Sequence, residues 1–406
     1  MVLQQVEVAK EATQRGDWSS AIALLRQALQ AGEADPQQWQ PEVQASVLAL
    51  ALQALETGDF STRWHAAKLL PALGPVAIAP LIAILQDEDA DLEERWFAGR
   101  LLGSFQGRDV IAALVTVLQQ TTDPDLTAIT AHALACQGAA AIAPLTALLS
   151  RQPPCLPALH ALAQIPDASV IAPLLAVVTH EDPEFRAVAM LALSNFRDER
   201  VMPVLMSAVQ DRATAVRRAA AIGLGRWATP AAEPVLLPVL SALLNDVQME
   251  VCEQAAIALG RLKTEGAARA LAAELRSSLT PLPLQLTLVR ALAWTETSLA
   301  LTLLQQALPQ LPVPAMQEAI QVLGRVSPPC LRSQAATILL SFSSTHRLDD
   351  LEPSILQALA HAWEILGDPR ALPVLERLKH HPQPQVALHA DSALDRLRHA
   401  PGDETK

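Results

Sequence analysis

The chain has 406 residues, of which 51% are hydrophobic, 18% charged and 3% aromatic, with no Tyr and a formal net charge of −12. This apolar content excludes a largely disordered chain, and the scarcity of aromatic residues argues against a strand-rich fold. The negative charge argues against a nucleic-acid-binding protein and against docking on an anionic membrane surface. Because Ala and Leu supply most of the apolar residues, the composition predicts an all-α fold.

The pattern over residues 1–56 predicts three helices. The segment around Gly16-Asp17-Trp18 resembles a degenerate tetratricopeptide unit, and we expect these helices to cap the first of the repeats that follow. The first residues contain no basic stretch followed by an apolar one, so no secretory signal is predicted. Four widely spaced cysteines without a C-x-x-C pair are typical of a reducing compartment. We therefore expect a cytoplasmic protein without integral membrane association.

Residues 57–310 contain an internal repeat. One apolar phrase returns as AIAPLIAIL at 77–85, VIAALVTVL at 110–118, AIAPLTALL at 141–149, VIAPLLAVV at 170–178 and VMPVLMSAV at 201–209, at intervals of 33, 31, 29 and 31 residues. Before each copy lies a segment with apolar residues at i, i+3, i+4 and i+7, such as VRRAAAIGLGRW at 216–227. The unit is therefore a first helix, a tight turn, a second helix and an acid-rich loop. Stacked units must share one core, which predicts an α-solenoid of antiparallel helix pairs with about 24 helices.

Glycines near the ends of the first helices suggest how those helices stop. A residue in the left-handed conformation commonly ends a helix, and glycine adopts it most easily. On this basis the helix-ending residues are predicted to be Gly74, Gly103, Gly138 and Gly260.

The repeat weakens after residue 310. Residues 311–398 are predicted to form divergent helical repeats, with a break in the period over 326–351 and one regular helix pair plus a closing helix after it. Residues 399–406, with the sequence HAPGDETK from 399, are predicted to be a disordered tail.

The repeated phrases resemble HEAT repeats, especially the short bacterial repeats of phycobilisome lyase subunits. The resemblance rests on the spacing V-R-x-A-A-x-x-x-L-G at Val216–Gly225 and on A-I-x-P-L-x-x-I-L at Ala77–Leu85. It implies a right-handed superhelix of the HEAT or armadillo type. It also implies that the second helices line the concave side. Because those helices carry almost no charge here, we expect an apolar groove suited to a helix, a loop or a flat pigment.

Two sets of residues are candidates for protein binding. Arg63-Trp64 and Arg95-Trp96 occupy equivalent places in neighbouring first helices, and Trp and Arg dominate binding hot spots. Arg217 and Arg218 lie in the densest basic stretch and are suited to an acidic partner. The structural alternative stays open for both sets: each Trp packs between layers, and each Arg pairs with acidic residues of a loop or of a neighbouring repeat.

No catalytic motif, glycine-rich phosphate loop or metal-ligand spacing is found, so no catalytic residue, cofactor or metal is predicted. The leading hypothesis is a non-catalytic scaffold or adaptor that binds a protein along the concave face of residues 57–310. The alternative, implied by the resemblance, is a bilin lyase or chromophore-handling factor of a phototroph that acts on a phycobiliprotein.

Overall fold

The computed structural model describes residues 2–31, 36, 39–151 and 153–399, so residues 400–406 of the predicted tail lie outside the described part. Within it the chain forms twenty-four α-helices and no strand. The predicted all-α solenoid fold and its number of helices are confirmed.

The chain divides into two compact units, unit 1 (Met1–Leu193) and unit 2 (Ser194–Lys406). This division falls inside the predicted repeat region, so the boundaries predicted at residues 56/57 and 310/311 stay predictions. The helices of unit 1 are α1 (Val2–Gln14), α2 (Trp18–Ala31), α3 (Pro41–Thr57), α4 (Phe60–Ala67), α5 (Ile78–Gln86), α6 (Leu92–Leu102), α7 (Arg108–Gln120), α8 (Pro124–Cys136), α9 (Ala139–Leu149), α10 (Leu156–Gln164), α11 (Ile171–Val177) and α12 (Pro183–Leu193). The helices of unit 2 are α13 (Val201–Ala208), α14 (Thr214–Trp227), α15 (Glu233–Leu243), α16 (Met249–Leu262), α17 (Glu265–Leu275), α18 (Leu282–Trp294), α19 (Ser298–Ala307), α20 (Val313–Gly324), α21 (Pro329–Thr345), α22 (Pro353–Leu366), α23 (Leu372–Lys379) and α24 (Pro384–His399).

The apolar periodicity of each first helix decides which of its faces is buried. In α16, Val251, Ala255 and Leu259 are fully buried, while the charged Arg261 is exposed. The segment predicted to break the period contains one helix of 17 residues, α21, which is longer than the second helices before it.

Within each unit, from α6 onward, first helices of consecutive repeats pack more closely than second helices do. Small residues allow this approach. A Cβ atom added to Gly260 of α16 would lie 2.8 Å from the carbonyl oxygen of Ala291 in α18, and one added to Gly324 of α20 would lie 2.7 Å from Cα of Ala362 in α22. Gly260 is therefore a packing site inside α16, contrary to the prediction that it stops a helix. Gly103 does follow the last residue of α6, as predicted, but in right-handed conformation with a φ of −60°. Gly74 and Gly138 do have positive φ angles, 73° and 60°.

The expectation that the uncharged second helices line the concave side of the solenoid stays a prediction.

In the described part of the chain, no single helix combines the length and apolar composition needed to cross a membrane. The helical segments Phe60–Ala67 and Leu70–Gln86 reach that length and hydropathy only together, and they are bent by 69° at their junction.

Candidate functional site

Arg63, a sequence candidate in α4, is buried and tied to the next repeat. Its guanidinium forms ion pairs with Asp91 and with Glu93, the second at 2.6 Å, and donates a hydrogen bond to the carbonyl of Glu56 at 3.1 Å. Arg95 of α6 is half-buried and donates from Nε to the carbonyl of Leu85 at 3.1 Å. These contacts fit the structural alternative for both arginines.

Arg217 of α14 has a similar role in unit 2. Its Nε and Nη2 donate to the two carboxylate oxygens of Asp246 at 2.7 and 2.8 Å, and Nη1 donates to the carbonyl of Asp211 at 2.9 Å. The side-chain hydrogen bond from Arg217 lowers the pKa of Asp246, although burial opposes the shift. Arg218, the next candidate, is exposed and lies 3.6 Å from Glu250. The structure therefore does not bring these two arginines to the other candidates.

Trp64 and Trp96, by contrast, come together where α4 lies beside α6 in unit 1. The guanidinium carbon of Arg100 lies 4.3 Å from the ring centroid of Trp64 and 5.5 Å from that of Trp96, so that one cation contacts both rings. The Nζ of Lys68, directly after α4, lies 5.3 Å from the ring centroid of Trp64. Phe60, with 57% of its surface exposed, stacks against Trp64 at a centroid distance of 6.1 Å. We name these five residues the Trp–Arg cluster.

The cluster combines half-buried aromatic rings with cations that have no carboxylate partner. Both tryptophans are half-buried, and both Lys68 and Arg100 are exposed. Trp96 is held by an edge-to-face contact with the buried Phe97 at 5.2 Å. Among the described residues, neither Lys68 nor Arg100 takes part in an ion pair. Cation–π contacts engage the flat face of a guanidinium and leave its N–H edge able to donate to an anion.

The cluster begins a row of basic side chains on four successive repeats. Each member stands two residues before a fully buried leucine, so all occupy the same register position, and all are exposed. The members of this basic row are Lys68, Arg100, His132 and His160. The ring Nδ1 of His132 lies 3.3 Å from Oε1 of Gln164 on the next first helix, so the row continues across α8 and α10.

The sequence singled out the arginines that precede each tryptophan, whereas the structure pairs the tryptophans with basic residues four positions later. Neighbours in sequence point about 100° apart on a helix, but residues i and i+4 share a face. The spacing Trp64–Lys68 and Trp96–Arg100 is visible in the sequence and could have identified the cluster.

Comparison with known proteins finds HEAT repeats in the middle of the chain. The family model described as HEAT repeats matches residues 157–222 and 202–282. No curated protein matches the sequence.

Several solved structures are similar in fold. Yeast importin-beta (Kap95p) has a TM-score of 0.56 and 14% identity, with 97% of this chain and 62% of that chain covered. Kap121p has a TM-score of 0.53 and 12% identity, with 98% and 51% covered. A structure of Kap121p bound to Pho4p has a TM-score of 0.52 and 13% identity, with 94% and 54% covered. The chain thus spans between about half and two-thirds of the length of these proteins.

At these identities the similarity shows the fold alone. None of the comparisons shows the resemblance to phycobilisome lyases that the repeat phrases suggested. Residues 157–282 thus match the family model of HEAT repeats, and the chain has the α-solenoid fold of the importin-type structures.

Proposed function

We propose that this protein is a non-catalytic scaffold that binds a protein partner through the exposed surface of α4 and α6 in unit 1. The partner contributes an acidic segment that lies across α4 and α6. The observation that carries the proposal is the position of Arg100, which lies between the rings of Trp64 and Trp96 and has no carboxylate partner among the described residues.

Trp and Arg are the residues that most often dominate binding free energy, provided that the bound partner excludes water from them. The half-buried rings of Trp64 and Trp96 offer apolar area in a fixed orientation. The N–H edges of Arg100 and the ammonium group of Lys68 are suited to carboxylates, because charge-assisted hydrogen bonds are stronger than neutral ones.

The net charge of the chain favours binding of an acidic segment at the basic row over binding elsewhere on the protein. With a formal charge of −12, most of the protein repels an acidic segment, and the basic row is a local exception. The fold is also compatible with a scaffold, since Kap121p, a protein of similar fold, has a structure bound to Pho4p. All four cysteines are free thiols, as expected for the proposed cytoplasmic location.

The test is affinity capture from the native host, followed by measurement of Kd with the purified partner. The variant is the double substitution Lys68→Gln and Arg100→Gln. The matched control is Arg108→Gln with Arg151→Gln, which removes two exposed charges of unit 1 outside the cluster. We expect the variant to weaken binding about 10- to 30-fold, the size of a hot-spot loss, and the control to change it less than about twofold.

Equal binding by the variant and the control would contradict the proposed function. So would binding of a single-stranded oligonucleotide that displaces the partner and depends on Lys68 and Arg100. The bilin-handling alternative has its own readout. A shift of the visible absorption spectrum on mixing with bilin, lost in the double variant, would replace the scaffold with a chromophore-handling protein.

A further inference from the structure

An open pocket of about 680 Å³ lies in unit 1 between α3, α5 and the start of α6. Its apolar part includes Leu52, Pro80 and Ile84. Its polar part is almost entirely acidic, with carboxylates contributed by Glu56, Asp87, Asp89 and Glu94.

Glu94 is the unusual member of this group. Only 7% of its surface is exposed, and its carboxylate has no hydrogen-bond partner among the described residues. Burial raises the pKa of Glu94, and the negative charge of Glu56 raises it further, while Arg63 partly opposes both. Glu94 lines the pocket, so what remains accessible of its carboxylate can accept hydrogen bonds from a ligand that enters there.

The cations near the pocket are already engaged. Arg63 pairs with Asp91 and Glu93, and Arg95 donates to a backbone carbonyl. In the described part of the chain, none of the four pocket carboxylates forms an ion pair. The pocket therefore carries an excess of negative charge that the protein does not neutralise.

The geometry argues for an organic cation. A metal ion needs several oxygen ligands at about 2.0–2.6 Å, and no group of three His, Cys, Asp or Glu side chains among the described residues could hold one. A guanidinium group is larger, donates up to five hydrogen bonds and can reach several separated carboxylates. The apolar wall suits the methylene stem that carries such a group.

We propose that this pocket receives a basic side chain of a protein partner, with arginine the best match, and that Glu94 is the carboxylate at its base. The site is distinct from the Trp–Arg cluster and does not depend on the proposed function. The two surfaces carry opposite charge, so a basic side chain and an acidic segment each have one place to bind.

Binding at this pocket is coupled to a proton. Glu94 faces Glu56 from α3, Asp87 and Asp91 from the loop before α6, and Arg63 from α4. Because the pKa of Glu94 lies above its usual range, the group holds its proton to higher pH than an exposed glutamate. A guanidinium binds the ionised form, so affinity rises as pH rises through this pKa and falls again at lower pH.

The probe is a triarginine peptide, acetylated and amidated at its ends, with binding to the full chain measured by calorimetry at low salt between pH 5 and pH 7.5. The variant is Glu94→Gln, which keeps the shape of the side chain and removes a costly buried charge, so it should fold. The matched control is Glu88→Gln. Glu88 is an exposed residue of the acidic loop between α5 and α6, and it does not line the pocket.

We expect Glu94→Gln to weaken peptide binding about tenfold at pH 7.5 and to flatten its pH dependence, as the loss of a charged hydrogen-bond acceptor implies. Glu88→Gln should change affinity less than twofold. Equal peptide affinity of the wild type and Glu94→Gln would overturn the proposal. So would an equal loss of affinity in Glu88→Gln and Glu94→Gln, because that result indicates attraction to the acidic loop as a whole. The Lys68→Gln and Arg100→Gln variant should leave peptide binding unchanged, so this test can fail without the proposed function failing.

Discussion

Asp246 shows how single residues link consecutive repeats. Its carboxylate accepts two hydrogen bonds from Arg217 of the preceding first helix, and it also accepts from the backbone N–H of Gln248 just before α16. One side chain therefore joins α14 to the start of the next first helix. In unit 1, Asp91 and Glu93 make the equivalent link to Arg63.

We predict that Asp246→Asn lowers the free energy of unfolding by about 2 kcal/mol at pH 7, since it breaks a half-buried pair while keeping the shape. The lowered pKa of Asp246 means that its contribution is present above the unfolded value of about 3.9 and is lost as pH falls through the folded value. The difference between wild type and variant should therefore shrink as pH falls below about 3.9 and vanish once pH lies below the folded pKa of Asp246. Urea unfolding at pH 7 and at a series of lower pH values measures it.

The control is Glu250→Gln, whose partner Arg218 is exposed and lies 3.6 Å away. A pair of this kind contributes less than about 0.5 kcal/mol. If Glu250→Gln were as destabilising as Asp246→Asn, the link between repeats would not reside in the Arg217–Asp246 pair.

At the scale of helices, the approach of the first helices depends on positions without a Cβ atom. Gly260 of α16 lies against the backbone of Ala291 in α18, and Gly225 of α14 lies against Ala258 in α16. Each contact brings two consecutive first helices together and so determines the distance between them.

We predict that Gly260→Ala destabilises the protein by about 1–3 kcal/mol, because the added methyl group would meet the carbonyl oxygen of Ala291 at 2.8 Å. The control is Gly99→Ala in α6, where the nearest atoms, on Leu85 and Ile129, are 3.4 and 3.5 Å away. There the gain in helix propensity, about 1 kcal/mol, should leave stability unchanged or higher. Thermal unfolding of both variants measures these effects. If Gly260→Ala were as stable as the wild type, close packing of α16 against α18 would not depend on the missing Cβ atom.

The sequence predicts the helices well because each needs only its own apolar stripe and turn residues. Gly260 shows the limit of that method. Its place near a helix end suggests a stop signal, but its role depends on Ala291, some thirty residues away. In the Trp–Arg cluster, the sequence identifies both tryptophans, but not the contact that joins them. Trp64 and Trp96 come from different repeats and meet through Arg100, and only the stacking of α4 on α6 brings them together.

At the scale of the whole molecule, stability in a repeat protein is a sum of units and the interfaces between neighbours. A local defect should therefore spread over a short range. We predict that in Gly260→Ala the amides of α14, α16 and α18 exchange with solvent faster than in the wild type, whereas those of α6 and α8 keep their rates. Hydrogen exchange with mass spectrometry measures this. Uniformly faster exchange along the chain would mean that the chain unfolds as one cooperative body.

The basic row has a consequence for how the binding surface can change. Four successive repeats of unit 1 each place one basic side chain at the same register position, spaced by the helix-to-helix distance of about 8–10 Å. Duplicating or deleting one of these repeats would lengthen or shorten the row by one basic side chain without disturbing the remaining spacing. Such a surface suits an acidic segment whose length matches that of the row. Gain or loss of a repeat would change the matching length in steps of one repeat.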